Sequence, residues 1–453
     1  MQSSVAPRRS LGLATTTSIV LGNMVGSGVF LLPASLAVYG IYSLWGWGFS
    51  TAGALILAWV FSSLARRLPK AGGPYAYPRE AFGDFAGFII AWIYWLSIVG
   101  TNAAIAVAFA SYLSDFFPAL ASNPFYGAGA ALAATWLLTA VNIRGVRAAG
   151  NVQIITVILK LSPLLALAVF GVFHFDPHVL ASVQTSKSPL SAINATAALT
   201  MWAFLGLECA TVPADHVKEP ETTIPRATLL GTLIAGVFYI VCTTVVMGII
   251  PGDSLAQSNA PFADAAKLIW GSRAGYLIAA AAVISCFGAL NGWILMQGQL
   301  PQAVARSGLF PRIMAREGRF GTPTVAIVAS SVFASVLILM SLGSSLNGGL
   351  GQTLVAMFNI LILITTFFTL VPYMLCALAE MVLSRRQQRA SNLRRRDLVA
   401  AALAFAFALW AAAGTGKDSL YWGTILLLAG LPIYVWQKAV NERSAEASAV
   451  STG

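Results

Sequence analysis

The chain has 453 residues, of which 58% are hydrophobic and only 9% are charged, and its mean hydropathy is +0.77. Soluble globular proteins carry about 25% charged residues, so this composition excludes a soluble protein and predicts one that crosses the bilayer many times. The net charge of +11 would indicate a nucleic-acid partner only if the basic residues formed a surface in water.

Twelve apolar segments are long enough to cross about 30 Å of hydrocarbon as helices. They lie at residues 12–37, 45–65, 85–113, 124–143, 152–174, 193–212, 227–250, 275–303, 323–343, 351–383, 398–415 and 419–437. We therefore predict an all-α polytopic membrane protein with twelve transmembrane helices and no soluble domain.

The basic residues are distributed unevenly over the connections between these segments. Connections on one side carry 22 lysines and arginines, whereas those on the other side carry only four, Lys187, Lys267, Arg273 and Lys417. Because basic connections remain in the cytoplasm, both termini are predicted to be cytoplasmic. The arginine cluster at 385–396 is then interpreted as a topology anchor that faces anionic lipid, and no nucleic-acid partner is expected.

Two segments are interrupted where a membrane helix should be continuous. Residues 22–30 read Gly-Asn-Met-Val-Gly-Ser-Gly-Val-Phe, and each glycine costs a helix about 1 kcal/mol relative to alanine. Residues 202–208, Trp-Ala-Phe-Leu-Gly-Leu-Glu, interrupt the sixth span, which corresponds to the first if spans 1–5 and 6–10 are two halves of one design. Matching breaks indicate a transporter with a central site. The alternative is a close-packed interface of small residues between helices.

The breaks offer backbone groups that suit the head group of an amino acid. In Gly26-Ser27-Gly28, the amides of Ser27 and Gly28 would begin a new half-helix, and a helix N-terminus attracts a carboxylate. Carbonyl groups released in the two breaks would accept hydrogen bonds from an ammonium group, and these belong to Asn23, Met24, Trp202 and Leu205.

Two ionisable side chains lie unexpectedly within spans. Glu208 is the only acid well inside a span, and an intramembrane carboxylate indicates a functional site, although a protonated or backbone-bonded structural residue is the alternative. Lys160 is equally unexpected, and a buried amine suits a proton carrier or takes the place of a coupling sodium ion. For Lys160 the alternative is snorkelling towards the cytoplasmic end of the span.

Several aromatic and amide side chains at mid-span are candidates for contact with a substrate. Trp202 and Trp293 lie near Gly206 and Gly292, and the face of an indole binds a cation without trapping it as a carboxylate would. Tyr94 and Tyr373 are interpreted as gates, and Asn102 as a substrate ligand or an interhelical hydrogen bond. No metal or cofactor is predicted, and without a nucleophile–base pair in the spans an enzyme is not expected.

These motifs together resemble those of the amino acid-polyamine-organocation transporters, most closely the basic amino acid/polyamine antiporters and, among them, the arginine/agmatine antiporters. The resemblance is carried by residues 22–33, 72–77, 202–208, 218–220, 224–225, 307–311 and 371–373. It implies ten helices in two inverted five-helix repeats with broken helices 1 and 6, two peripheral helices, and often a homodimer. The corresponding boundaries are 1–11 for a cytoplasmic N-terminus, 12–383 for the transport core (repeats about 12–174 and 193–383), 398–437 for the peripheral helices and 438–453 for a cytoplasmic tail.

The resemblance also implies roles for individual residues. Substrate-binding positions of the arginine/agmatine branch match Met24, Ser27, Gly28, Asn102, Trp202, Leu205 and Trp293, and its gate matches Tyr94, Glu208 and Tyr373 with Trp202 as a middle gate. The side-chain end of the pocket departs from that branch at Ile98 (with Ser97 beside it), Ile105 and Thr365. Lys160 stands where that branch has a small apolar residue.

The predicted function is secondary active transport at the bacterial inner membrane by alternating access. The exchanged pair is predicted to be a cationic amino acid and its decarboxylated amine, namely arginine and agmatine. Trp202, Tyr94, Glu208 and Tyr373 are expected to close above the bound substrate. The alternative is a proton-coupled symporter of neutral or broad-range amino acids that uses Lys160, or Glu208, to carry the proton.

Overall fold

The computed structural model describes residues 11–26, 28–68, 73–144, 150–183, 185–211, 217–347, 353–386 and 391–450. Within these ranges the secondary structure is helical, apart from an isolated bridge between Leu11 and Val217. Ten helices are long and apolar enough to cross a membrane, and a bent pair in the first span would be an eleventh. The helix Gly150–Gly171 lies at the predicted fifth span, so helices occupy all twelve predicted positions.

We number the spans 1 to 12 in chain order. They are Leu13–Met24 with Gly28–Leu36 (spans 1a and 1b), Tyr42–Arg67, Asp84–Leu113, Pro124–Ile143, Gly150–Gly171, Pro189–Met201 with the 3₁₀ turns Trp202–Phe204 and Cys209–Thr211 (span 6), Pro220–Ile249, Ser272–Arg306, Thr324–Asn347, Thr353–Arg386, Ser391–Ala413, and Lys417–Leu428 continued by Gly430–Val450. Both predicted breaks are present, in spans 1 and 6.

Spans 1–5 and spans 6–10 form two repeats, and the contacts made by equivalent spans match. Span 1 packs on span 7 as span 6 packs on span 2, and span 3 packs on span 10 as span 8 packs on span 5. Spans 1 and 5 meet as spans 6 and 10 do, while 2 with 7 and 3 with 8 are contacts between equivalent helices. Because each repeat has an odd number of spans, the second enters the membrane from the opposite side, which is the inverted arrangement of this transporter class.

Proline places the starts of several helices. Pro124, Pro189, Pro220 and Pro261 each lie in the first turn of a helix, where proline's fixed φ suits the helix and its missing N–H is not needed. The Asn123 side chain adds a cap at the start of span 4 by accepting a hydrogen bond from the amide of Phe125 at 3.0 Å.

A short helix, Pro261–Trp270, packs against span 1b. The Phe30 and Phe262 rings pack edge to face at 6.0 Å, and the Tyr112 hydroxyl donates to the Phe30 carbonyl at 2.9 Å. Lys267 fastens the helix to the end of span 3 through Asp115 and also bonds Asp264 at 3.1 Å. Burial alone would lower the pKa of Lys267, but these hydrogen bonds and the negative charges raise it above its ordinary value, so the lysine stays charged at neutral pH.

An ion cluster joins the C-terminal ends of spans 2 and 10 to the N-terminal end of span 11. The Arg67 guanidinium donates to Glu380 Oε1 at 2.9 Å and to Asp397 Oδ2 at 2.8 Å, and all three side chains are almost fully buried. Ser63 donates to Glu380 at 2.9 Å, and the Trp59 indole donates to Asp397 at 3.2 Å. The cluster fixes peripheral span 11 to the ten-helix core.

We predict that Arg67→Ala lowers the free energy of unfolding by about 3–5 kcal/mol, because two buried carboxylates lose their cation. Thermal unfolding of the purified protein in detergent measures this loss. Arg306→Ala is the matched control: its pair with Glu317 has side chains 59% and 49% exposed, and an exposed pair contributes at most about 1 kcal/mol. Equal losses in the two variants would contradict the assignment.

Candidate functional site

The break in span 1 begins where the helix ends at Met24. The amides of Val25 and Gly26 donate to the carbonyls of Leu21 and Met24 at 2.7 and 2.9 Å, so the Met24 carbonyl has a partner inside the break. The chain resumes as a helix at Gly28, with a bend of 42° between the two halves. Ser27 lies outside the described residues, and its role at this helix N-terminus stays a prediction.

The break in span 6 is held by its neighbours. The Leu205 amide donates to the Trp202 carbonyl at 3.1 Å, and the buried Tyr239 hydroxyl of span 7 donates to the Ala203 carbonyl at 3.1 Å. Gly206 then adopts a φ of +99°, a conformation that favours glycine. Since hydrocarbon cannot solvate backbone groups, these hydrogen bonds allow an open backbone at this depth.

The two breaks meet, and a small cavity lies between them. A Cβ built on Gly206 would be only 3.2 Å from Cβ of Asn23. The cavity is lined by Asn23, Met24, Gly26, Thr101, Ile105, Trp202, Ala203, Leu205 and Trp293. None of these lining residues is charged. The cavity volume is about 20 Å³, which is room for a water molecule and far below the roughly 300 Å³ of an ordinary ligand pocket, so an amino acid requires the site to expand.

Glu208, two residues beyond Gly206, joins spans 3, 6 and 10. Its Oε1 accepts a hydrogen bond from the Tyr94 hydroxyl at 2.7 Å, and its Oε2 accepts one from the Tyr373 hydroxyl. The three side chains are at most 2% exposed. The sequence placed these residues together as a gate, and the structure brings them into contact.

Trp202, which lines the cavity, makes a second contact with span 10. The Trp202 ring packs edge to face on Phe358 with centroids 5.3 Å apart. Phe358 and Tyr373 are both in span 10 but are separated by 15 residues, about 22 Å at 1.5 Å per residue. The contact of Trp202 and the tyrosine–glutamate cluster therefore lie at different levels along span 10. That all four residues close above the substrate stays a prediction.

Thr101 is a lining residue that the sequence analysis missed. Tyr94, Ile98, Thr101 and Ile105 follow one another at helical spacing on one stripe of span 3, and Thr101 and Ile105 line the cavity. This spacing is the signal that identifies Thr101 once Tyr94 and Ile105 are chosen. Ile98 is buried on the same stripe but is not among the lining residues.

Three predicted substrate ligands are not among the residues that line the cavity, and the buried Thr365 hydroxyl, unlike the side chains of the other two, has no hydrogen-bond partner within the described part of the chain. Ser97 donates to the Tyr94 carbonyl at 2.7 Å. Thr365 packs against span 3, where its hydroxyl would be 2.3 Å from a Cβ built on Gly100. Asn102 donates to Gln297 Oε1 at 2.7 Å. Their roles as ligands stay predictions.

Asn102 belongs to a buried chain of polar side chains that crosses four spans. Gln297 passes the connection on by donating to the Ser331 hydroxyl at 2.9 Å, which is 2.6 Å from the Thr139 hydroxyl. Asn102 thus lies on a different face of span 3 from Thr101. This face is directed towards spans 8 and 9. This contact is an interhelical hydrogen bond of the kind considered for Asn102 in the sequence.

Lys160 is placed by the structure only through its backbone. It lies within the helix Gly150–Gly171, and this span packs on spans 1 and 8. Its side chain lies outside the described residues, so its role in proton coupling stays a prediction.

Comparison with known proteins decides the family. A sequence model of the amino acid permease family matches residues 11–430. The chain belongs to the amino acid permease family. Within the amino acid-polyamine-organocation superfamily it belongs to the basic amino acid/polyamine antiporter family, and it is a transporter rather than an enzyme.

Relatives support the same placement over nearly the whole permease. The putrescine transporter PotE of Escherichia coli (strain K12) is 32% identical over 437 residues, covering 95% of this chain and 97% of the relative. The PotE of Haemophilus influenzae is 30% identical and covers 95% and 97%. The cadaverine/lysine antiporter of Escherichia coli (strain K12) is 35% identical over 371 residues and covers 81% and 82%.

Solved structures bear on the fold of the permease alone. The manganese transporter of Eremococcus coleocola superposes with a TM-score of 0.63 at 13% sequence identity, covering 98% of this chain and 99% of that chain. Similarity at this level of identity leaves the substrate of the permease open.

We predict that Gly206→Ala disturbs the junction of the two breaks. A side chain at φ +99° is strained by about 1–2 kcal/mol, and the new methyl group presses on Asn23. Thermal unfolding and substrate exchange in proteoliposomes should both deteriorate. Gly343→Ala is the control because a Cβ there meets nothing within 4 Å. If both variants behave as wild type, the close approach of the breaks does not matter.

Proposed function

We propose that the permease is an exchanger of a cationic amino acid for its decarboxylated amine. The observation that carries this proposal is the cavity at the junction of the two breaks, lined by backbone-rich segments of spans 1 and 6 and by two tryptophans. The backbone groups suit the head group of an amino acid, which carries both charges. The tryptophans suit a cationic side chain.

In this proposal the head group lies at the breaks. Span 1b begins at Gly28, and its free amides would receive the substrate carboxylate. Carbonyl groups of spans 1 and 6 would receive the ammonium, and Asn23 and Leu205 are lining residues of these two spans. A decarboxylated amine leaves the carboxylate position empty and so binds through its ammonium groups.

The cationic tail would lie against Trp293 of span 8, and Trp202 of the span 6 break also lines the cavity. An indole face attracts a cation by about 0.5–2 kcal/mol, and the described lining residues bear no negative charge. Such a site holds a cation weakly enough to release it on either side of the membrane. Ile105 makes the wall beside the tail apolar, which suits the methylene chain of the substrate.

The exchanged pair is the finer part of the proposal. Arginine and agmatine follow from the sequence motifs, whereas the names of the relatives refer to putrescine, cadaverine and lysine. We therefore place lysine with cadaverine and putrescine beside arginine with agmatine as candidate substrates. An inner-membrane location with cytoplasmic termini, and a homodimer, complete the proposal.

In this proposal the Trp202–Phe358 contact and the tyrosine–glutamate cluster lie on opposite sides of the cavity. Alternating access would use both. Separation of Trp202 from Phe358 opens one side, and separation of Glu208 from Tyr94 and Tyr373 opens the other. In the predicted orientation, the tyrosine–glutamate cluster lies towards the cytoplasm. Expansion of the small cavity by substrate would couple these two openings.

Transport in proteoliposomes tests exchange against the symport alternative. We expect labelled lysine, arginine or putrescine to enter vesicles that are preloaded with unlabelled amino acid or amine. Empty vesicles should accumulate little label even when a pH gradient is imposed. Strong uptake into empty vesicles under that gradient would reject exchange and favour symport.

We predict that Trp293→Ala weakens cationic substrate binding by up to about 30-fold, because it removes the cation–π contact. Trp293→Phe should retain part of the affinity. Isothermal titration with arginine, lysine, cadaverine and putrescine measures the effect. Trp45→Ala, at a ring that is 59% exposed, is the control. Unchanged affinities in Trp293→Ala would sink the tryptophan assignment.

We predict that Lys160→Ala flattens the pH dependence of transport while counter-substrate exchange persists. In this proposal the amine of Lys160 takes up and releases a proton within the membrane. Exchange rates of wild type and variant across a pH series make the comparison. An unaltered pH dependence would assign Lys160 a structural role only.

A further inference from the structure

A groove opens on the outside of the bundle between spans 2, 7 and 11. Its volume is about 560 Å³, within the range of ordinary ligand sites. Leu55, Leu229 and Leu403 contribute its apolar walls, one from each span, and Arg395 and Arg396 contribute its polar end. It shares no lining residue with the transport cavity.

The polar end of the groove carries an excess of positive charge. Arg395 and Arg396 are exposed at the start of span 11. The Arg396 guanidinium lies 5.2 Å from the centroid of the Trp59 ring. The nearby carboxylates of Glu380 and Asp397 already bind Arg67. An anion that enters the groove therefore meets two arginines beside an indole, and guanidinium groups match the geometry of phosphate oxygens.

The apolar walls continue from this end along the spans. Arg396 and Leu403 are seven residues apart in span 11, about 10 Å along a helix, and Leu55 lies one turn from Trp59 in span 2. Trp59 itself has the position of an interfacial tryptophan, between a charged layer and an apolar one. Charge at one end and a hydrocarbon-like wall along the rest is the pattern of a phospholipid.

We infer that this groove binds one anionic phospholipid. Its phosphate contacts Arg395 and Arg396, and one acyl chain lies along Leu55, Leu229 and Leu403. Because the groove is formed by two core spans and a peripheral span, the lipid fastens span 11 to the core next to the buried ion cluster. Anionic headgroups are concentrated in the leaflet on the side where the arginine-rich connections are predicted to lie.

Native mass spectrometry of the full-length protein in detergent tests this inference. It is titrated with phosphatidylglycerol and with phosphatidylcholine of the same acyl chains. Each arginine near an anionic lipid contributes about fivefold in affinity. Phosphatidylglycerol should therefore bind the first site roughly 25-fold more tightly, and Arg395→Gln/Arg396→Gln should abolish the difference. The control Arg312→Gln/Arg316→Gln removes two exposed arginines outside the groove and should keep the preference.

A second variant tests the acyl-chain wall with both arginines in place. Val399 lines the groove and is 59% exposed, so the larger side chain in Val399→Trp should fill the groove without disturbing the packed interior. The substitution should weaken the binding of both lipids. The melting temperature without added lipid checks that the variants are folded. Excess inorganic phosphate should not displace the lipid.

Three results would overturn the inference. They are equal affinities for the two lipids in the wild type, an equal loss of preference in the control double variant, and displacement by inorganic phosphate. A groove that instead receives a second copy of the chain would show Val399→Trp dissociating a dimer with unchanged lipid binding.

Discussion

Backbone amide and carbonyl groups inside hydrocarbon must be satisfied by the protein itself, because each unsatisfied group costs several kcal/mol there. A membrane helix can be opened only where neighbouring helices supply partners or where a ligand does. The breaks in spans 1 and 6 meet this requirement together. Tyr239 supplies a donor to Ala203, local turns use the Met24 and Trp202 carbonyls, and Gly206 allows the two breaks to approach. The open backbone at the cavity is possible because both breaks find their hydrogen-bond partners where they meet.

The same constraint explains why the fold was predictable from the sequence. Hydropathy locates the spans since every span must be apolar, and glycine at Gly26 and Gly206 marks backbone that departs from a helix. The break residues Asn23, Met24, Trp202 and Leu205 therefore lie at the cavity as the sequence predicted. Glu208 was identifiable because a carboxylate in hydrocarbon requires a specific partner, and Tyr94 and Tyr373 provide it.

The details of the side-chain end of the pocket were less accessible. Helical spacing places Thr101 beside Ile105, but a polar neighbour such as Asn102 attracts more attention in a sequence. Only the positions of spans 8 and 9 reveal that Asn102 bonds Gln297, and that Gln297 in turn bonds Ser331. The separation of the Trp202–Phe358 contact from the tyrosine–glutamate cluster also required span 10, since Phe358 and Tyr373 are on one helix but far apart along it. Contacts between spans carry no signal in a single sequence.

The closed cavity bears on how the proposed exchange would be enforced. The cavity has about 20 Å³ of free space, the Trp202 ring contacts Phe358, and Glu208 accepts hydrogen bonds from Tyr94 and Tyr373. Opening either side breaks contacts, and a ligand shifts such an equilibrium only by the difference in its affinity for the two states. A substrate that expands the cavity supplies new contacts in compensation, whereas the empty protein has none to offer. Reorientation of the empty permease is thereby disfavoured, and outward movement of one substrate comes to depend on inward movement of another.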